Sequence, residues 1–121
     1  MIKVFLIEDE IVIREALERM IPWKEYGFEL VGKAKDGEIA LPMIRKSKPD
    51  VLITDIKMPF MDGLTLSSIV KKEFPNIRIV IVSGYDDFEY ARKAIAIGVD
   101  DYLLKPIARA DFEKVLKKIQ K

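Results

Sequence analysis

The sequence predicts a doubly wound α/β domain on a five-stranded parallel sheet. Three observations lead there. Short apolar, β-rich runs alternate with stretches in which apolar residues recur every three or four positions. Most of the runs are apolar on consecutive positions, as in strands covered on both faces. Turn-forming pairs, Asp36-Gly37, Pro49-Asp50, Asp62-Gly63 and Pro75-Asn76, together with Gly98, separate the segments.

The first strand is expected from Ile2 to Ile7, followed by a helix whose stripe is Ile13, Leu17, Met20 and Ile21. A second strand runs from Phe28 to Ala34. The second helix, Gly37 to Ser47, carries the stripe Ala40, Leu41 and Ile44, but Pro42 removes a backbone donor inside it and predicts a kink or a displaced first turn. A third strand, Val51 to Thr54, precedes a helix marked by Leu66, Ile69, Val70 and Phe74. The fourth strand is Ile77 to Val82. Its helix shows Phe88, Ala91 and Ile95, with Asp86 and Glu89 spaced for a capping box. Tyr102 to Leu104 form the fifth strand, and Phe112, Val115, Leu116 and Ile119 the last helical stripe. Strands joined through helices of this length return to the sheet in parallel.

The 121 residues fit one domain, 1–121, with no linker or repeat. Half the residues are apolar and 34% are charged, enough to bury a core and keep a polar surface. Cys and His are both absent, which excludes disulfides, thiol nucleophiles, Cys/His zinc sites and imidazole acid–base chemistry. No apolar run exceeds four residues and no secretory signal pattern opens the chain, so a cytoplasmic location without membrane contact is expected. With 21 basic and 20 acidic residues the chain lacks the charge for direct nucleic-acid binding. The local excess of +4 between Lys105 and Lys121 reads as the solvated face of the terminal helix.

In such sheets ligands bind beyond the carboxyl ends of the strands. Those ends carry Glu8-Asp9-Glu10, Asp55, Ser83-Gly84 and Lys105-Pro106. Carboxylates gathered at one rim repel unless a cation neutralises them, and hard oxygen donors without nitrogen or sulfur select Mg²⁺ or a similar ion. Lys105, the Ser83 hydroxyl and the backbone around Lys57 and Gly84 could meet a phosphoryl group. No nucleotide-binding loop motif is present, so the nucleophile is a carboxylate and the product an acyl phosphate. A flavin binder would share the fold, but its first loop should offer donors to the flavin phosphate rather than three acids. An interaction module independent of phosphorylation would have no use for Asp9, Asp55, Ser83 and Lys105 at one rim.

Over essentially its whole length the sequence resembles the receiver domains of two-component response regulators. The resemblance rests on Glu8-Asp9, on Asp55-Ile56-Lys57-Met58-Pro59 with Met61-Asp62-Gly63, on Ser83-Gly84, and on Asp101-Tyr102-Leu103-Leu104-Lys105-Pro106. It implies a flavodoxin-like (βα)5 fold with strand order 2-1-3-4-5, and a signalling domain rather than an enzyme. It implies that Asp55 accepts a phosphoryl group from a sensor histidine kinase, and that Asp9, Asp55 and the Lys57 carbonyl hold Mg²⁺, with Glu8 acting mainly through water. Lys105 and Ser83 would contact the phosphoryl group, Tyr102 would change rotamer, and the Lys105-Pro106 bond would be cis. The signal would leave through the surface of the fourth helix, fifth strand and fifth helix, toward a dimer partner or an output domain beyond residue 121. Glu8 stands where Asp is commoner and Ser83 where Thr is commoner; both keep the required oxygen. Pro22-Trp23 through Gly27-Phe28, with Ser83 through Ala91, resembles receivers that precede an AraC-type DNA-binding output domain. Met58, Phe60 and Met61 form an apolar loop that either packs or meets the kinase.

Overall fold

The computed structural model describes residues 1–84 and 88–120. Ten elements alternate: β1 (Ile2–Ile7), α1 (Ile11–Met20), β2 (Phe28–Ala34), α2 (Gly37–Ser47), β3 (Val51–Asp55), α3 (Gly63–Glu73), β4 (Arg78–Ser83), α4 (Phe88–Ile97), β5 (Asp101–Leu104) and α5 (Arg109–Gln120). All strand pairs are parallel, and the sheet order is β2-β1-β3-β4-β5.

Alternation along the strands divides the core in two, because successive side chains leave a strand on opposite faces. Val4, Leu6, Val51, Ile53, Val80 and Val82 join α5 through Phe112, Val115, Leu116 and Ile119, and α1 through Leu17. Phe5, Ile7, Leu52, Ile79 and Ile81 pack instead on α2, α3 and α4 through Ala40, Ile44, Leu66, Val70 and Ala94. Neither face is left to water, which is why these strands lack polar alternation.

Trp23, in the turn between α1 and β2, closes the first layer. Its ring meets Phe112 edge-on at 5.7 Å and Phe28 at 6.4 Å, while its indole N–H donates to the Glu18 carbonyl at 2.8 Å.

The structure keeps the expected bounds of α2 and departs from expectation at β3, β4, α4 and β5, which begins at Asp101 rather than Tyr102. β3 and β4 each end one residue further, β4 also starting one residue later at Arg78, so Asp55 and Ser83 are the last residues of their strands. α2 spans Gly37–Ser47 with Pro42 inside and its first turn undisplaced, capped by the Asp36 carboxylate accepting from Ile39 N–H at 2.9 Å. On α4 the expected stripe fails at Ile95. Ile95 is 77% exposed, and the core side carries Tyr90, Ala94 and Ile97. This helix is apolar around most of its circumference, so spacing alone could not choose the buried side. The capping box expected from Asp86 falls outside the described residues.

Ser67, on α3, is fully buried and its hydroxyl has no hydrogen-bond partner among the described residues. Removing that hydroxyl relieves a desolvated donor and gains helix propensity, so Ser67→Ala should stabilise the fold by about 1 kcal/mol. Urea denaturation checks this, and a lower midpoint would mean the hydroxyl is satisfied in solution.

Candidate functional site

The carboxyl ends of β1, β3, β4 and β5 place the expected polar residues on one rim. Parallel strands bring this about, since all of them end on the same edge of the sheet. Glu8 follows β1 and is 1% exposed, Asp55 ends β3 at 6%, and Ser83 ends β4 at 0%. The Lys105 N–H donates to the Ser83 carbonyl at 2.7 Å, which fixes the start of the Lys105 side chain beside β4.

Lys105 joins the buried carboxylates. Its Nζ donates to Asp55 Oδ2 at 3.1 Å and lies 2.5 Å from Glu8 Oε1. The Glu8 contact has ionic distance but not hydrogen-bond direction, so Oε1 remains without a directed donor. Glu8 Oε2 accepts from the Glu10 N–H at 3.2 Å, and Asp55 Oδ1 from the Ile56 N–H at 2.8 Å.

Burial pushes the Glu8 carboxyl up to about 7, against a partial offset from Lys105. Burial also works against the Lys105 charge, yet Glu8 and Asp55 outweigh it and hold that pKa above the ordinary lysine value. One ammonium between two buried carboxylates leaves the site short of positive charge. The oxygens of Glu8, Asp9 and Glu10 lie within 4.8 Å of one another. A hard divalent cation fits this donor set, because every side-chain donor is a carboxylate oxygen and one of them is buried without full neutralisation.

The other expected residues lie around this centre. Exposed Asp9 lines a cleft of about 580 Å³ with Lys35, Asp36, Glu38, Ile39, Pro59 and Phe60. The Lys57 ammonium stands 5.7 Å from the centre of the Tyr90 ring, and its carbonyl belongs to the loop after β3. Gly84 is exposed, with open space where a side chain would be. Half-buried Tyr102 packs on the α2, α3 and α4 side of the sheet. The Lys105-Pro106 peptide is cis.

Residues 4–117 match the sequence profile of the response regulator receiver domain. This chain belongs to that family. The receiver is 41% identical over 119 residues to the transcriptional regulatory protein HptR of Staphylococcus aureus, covering 98% of this chain and 46% of that protein. It thus spans about half the length of the curated relatives it matches. Among solved structures, the receiver domain of AraT, a response regulator from Geobacillus stearothermophilus, superposes with a TM-score of 0.92 at 42% identity, covering 98% of this chain and 92% of that one. A two-component transcriptional regulator AraC from Clostridium phytofermentans gives 0.84 at 33% identity, covering 98% and 90%.

Two further features shape this receiver's rim. Glu10, expected at the rim with Glu8 and Asp9 but not in the metal set, joins their carboxylate cluster, and its side chain makes no cap on α1. Three consecutive acids were the available signal. Gly63, read only as a turn residue, lets α3 begin against the end of β3. Its N–H donates to the Ile56 carbonyl at 2.7 Å, and a Cβ there would lie 1.8 Å from the Asp55 carbonyl oxygen. No local pattern announces such an approach.

Gly63→Ala should therefore force α3 away from β3 and cost roughly 3 kcal/mol, measured by urea denaturation. An unchanged midpoint would mean the two elements separate freely.

The Glu8 shift has a definite sign. A carboxyl that titrates near 7 when folded and near 4.5 otherwise binds its proton more tightly in the folded protein. Its stabilising contribution is complete below the lower value and lost as pH rises through the upper one. With chelator present, the melting temperature of Glu8→Gln minus that of the unsubstituted domain should grow by several degrees from pH 5 to pH 8. A difference independent of pH would place the Glu8 carboxyl in its ordinary range.

Proposed function

We propose that the chain takes a phosphoryl group from the phosphohistidine of a sensor kinase onto Asp55 and relays the change to a transcriptional output. The observation that carries this reading is the Asp55 carboxylate, buried at the end of β3 with Lys105 Nζ at 3.1 Å. An Asp55 carboxylate oxygen forms the new O–P bond while the donor's N–P bond breaks, and the leaving imidazole keeps the electron pair and takes a proton.

Asp9, Asp55, the Lys57 carbonyl and, through water, Glu8 would hold Mg²⁺. Bound Mg²⁺ would neutralise charge on the phosphoryl oxygens during transfer. Lys105 needs little movement to serve the same oxygens from the other side. Acyl phosphate on Asp55 is expected with an acyl phosphate donor and Mg²⁺, read by intact mass. Asp55→Asn should abolish it, and equal uptake by that variant would overturn the assignment.

The phosphoryl group adds about −1.5 to −2 charge at the rim, and Ser83 and Lys105 are the donors that would turn toward it. Withdrawal of Ser83 makes room behind β4 for Tyr102, which alters the face built from α4, β5 and α5. That face presents Arg92, Lys93, Ile95, Leu104 and Lys114 to solvent. Its partner would be a second copy or an output domain that follows α5. The names of the HptR and AraC relatives support a transcriptional output, and this segment itself would contact neither nucleic acid nor membrane. No described helix is long and apolar enough to cross a membrane, in keeping with a cytoplasmic site of action.

Ser83→Ala and Lys105→Ala should still accept phosphate yet fail to transmit it. Amide exchange around Tyr102, compared with and without a phosphoryl mimic, checks this. The same change in Ser83→Ala as in the unsubstituted domain would remove Ser83 from the relay.

A further inference from the structure

The loop between β3 and α3 contains an aromatic residue that the fold does not use. Met58 and Met61 pack against the core layer of α2, α3 and α4. Phe60 between them is 83% exposed. The Met61 N–H donates to the Pro59 carbonyl at 2.8 Å, and Phe60 has φ 71°. Together these make Phe60 the centre of a γ-turn of the rarer, positive-φ kind. A residue with a Cβ is strained in that region, and phenylalanine has no polar side chain to compensate, as Asn or Asp would. Glycine would relieve both the strain and the exposed apolar surface.

The position of the ring accounts for these costs. Phe60 walls the same cleft as Asp9, with Pro59 and the 43% exposed Ile39 beside it. We propose that Phe60 is the contact by which this receiver recognises a protein phosphodonor as distinct from a small one, an inference that rests on Asp55 being the phosphoacceptor. A protein that brings phosphohistidine to Asp55 must cover the rim around it, and the Phe60 wall is part of that rim. Exposed Asp9 and Glu38 outweigh Lys35 along the cleft, so the complementary surface is apolar with basic residues at its edge. The tight turn and the two anchored methionines hold the base of the ring in place, which lowers the ordering cost of docking against it. A small acyl phosphate enters without needing that surface.

The test compares two donors on one set of variants: acetyl phosphate, and an autophosphorylated sensor-kinase core that loads the unsubstituted chain. Phe60→Ala should lower kcat/KM with the kinase about tenfold, chiefly through KM, and leave the acetyl phosphate rate within about twofold. Phe60→Leu should recover most of the loss. Phe60→Gly should melt higher than the unsubstituted chain and yet transfer from the kinase as poorly as Phe60→Ala. Equal losses with both donors, or no loss with the kinase, would overturn the inference. Phosphate mapped to a residue other than Asp55 in the unsubstituted chain would instead overturn the phosphoacceptor reading beneath it.

Discussion

The ammonium of Lys105 lies between the Glu8 and Asp55 carboxylates, and the rim is organised around that shared cation. A buried ion pair contributes little net stability, because desolvation offsets most of the attraction. Here the balance is worse, since one positive charge serves two carboxylates, and burial pushes the Glu8 carboxyl up to about 7 in spite of Lys105. The arrangement therefore makes sense as a site prepared for further charge rather than as a brace for the fold. Hydrophobic burial on both faces of the sheet supplies the stability that lets the rim remain under-neutralised.

Holding these groups together requires the strands to end in register. Glu8 and Asp55 follow the paired Ile7 and Thr54, whereas Asp55 pairs with Val82 and Ser83 with Leu104, so from β3 to β5 each step moves the polar end by about one residue. The close approach of α3 at Gly63 sets the depth of Asp55 from the other direction. Its hydrogen bond to Ile56 lies next to the Ile56 N–H that holds Asp55 Oδ1. One missing side chain thus positions the carboxylate beside it.

Sequence periodicity carried the fold, since strands buried on both faces and helices with one apolar stripe leave distinct patterns. α5 is the clearest case: all four residues of its expected stripe are buried. α4 shows where that signal fails, because apolar residues around most of the helix define no single face and Ile95 points to solvent. At the rim, residue types at strand ends were legible because parallel topology gathers them. Quantities that depend on distance were not. The sharing of Lys105 and the positive φ of Phe60 arise from backbone placements that no local residue pattern announces.

The two halves of the Lys105 arrangement differ in rigidity. Asp55 ends the central strand, which is flanked by β1 and β4 and buried at every residue. Lys105 follows β5, a four-residue edge strand paired on one side only, with every residue half-buried or exposed. An edge strand has fewer hydrogen bonds and less packing to resist displacement. The carboxylates thus sit on the stiff part of the sheet and their cation on the yielding part. The Lys105 N–H bond to the Ser83 carbonyl ties this end of β5 to the end of β4. Asp55 is thus joined through Lys105 to the end of β5, where Leu104 is 45% exposed. Exchanging the positions would put the carboxylate on the edge strand and its cation on the buried central one.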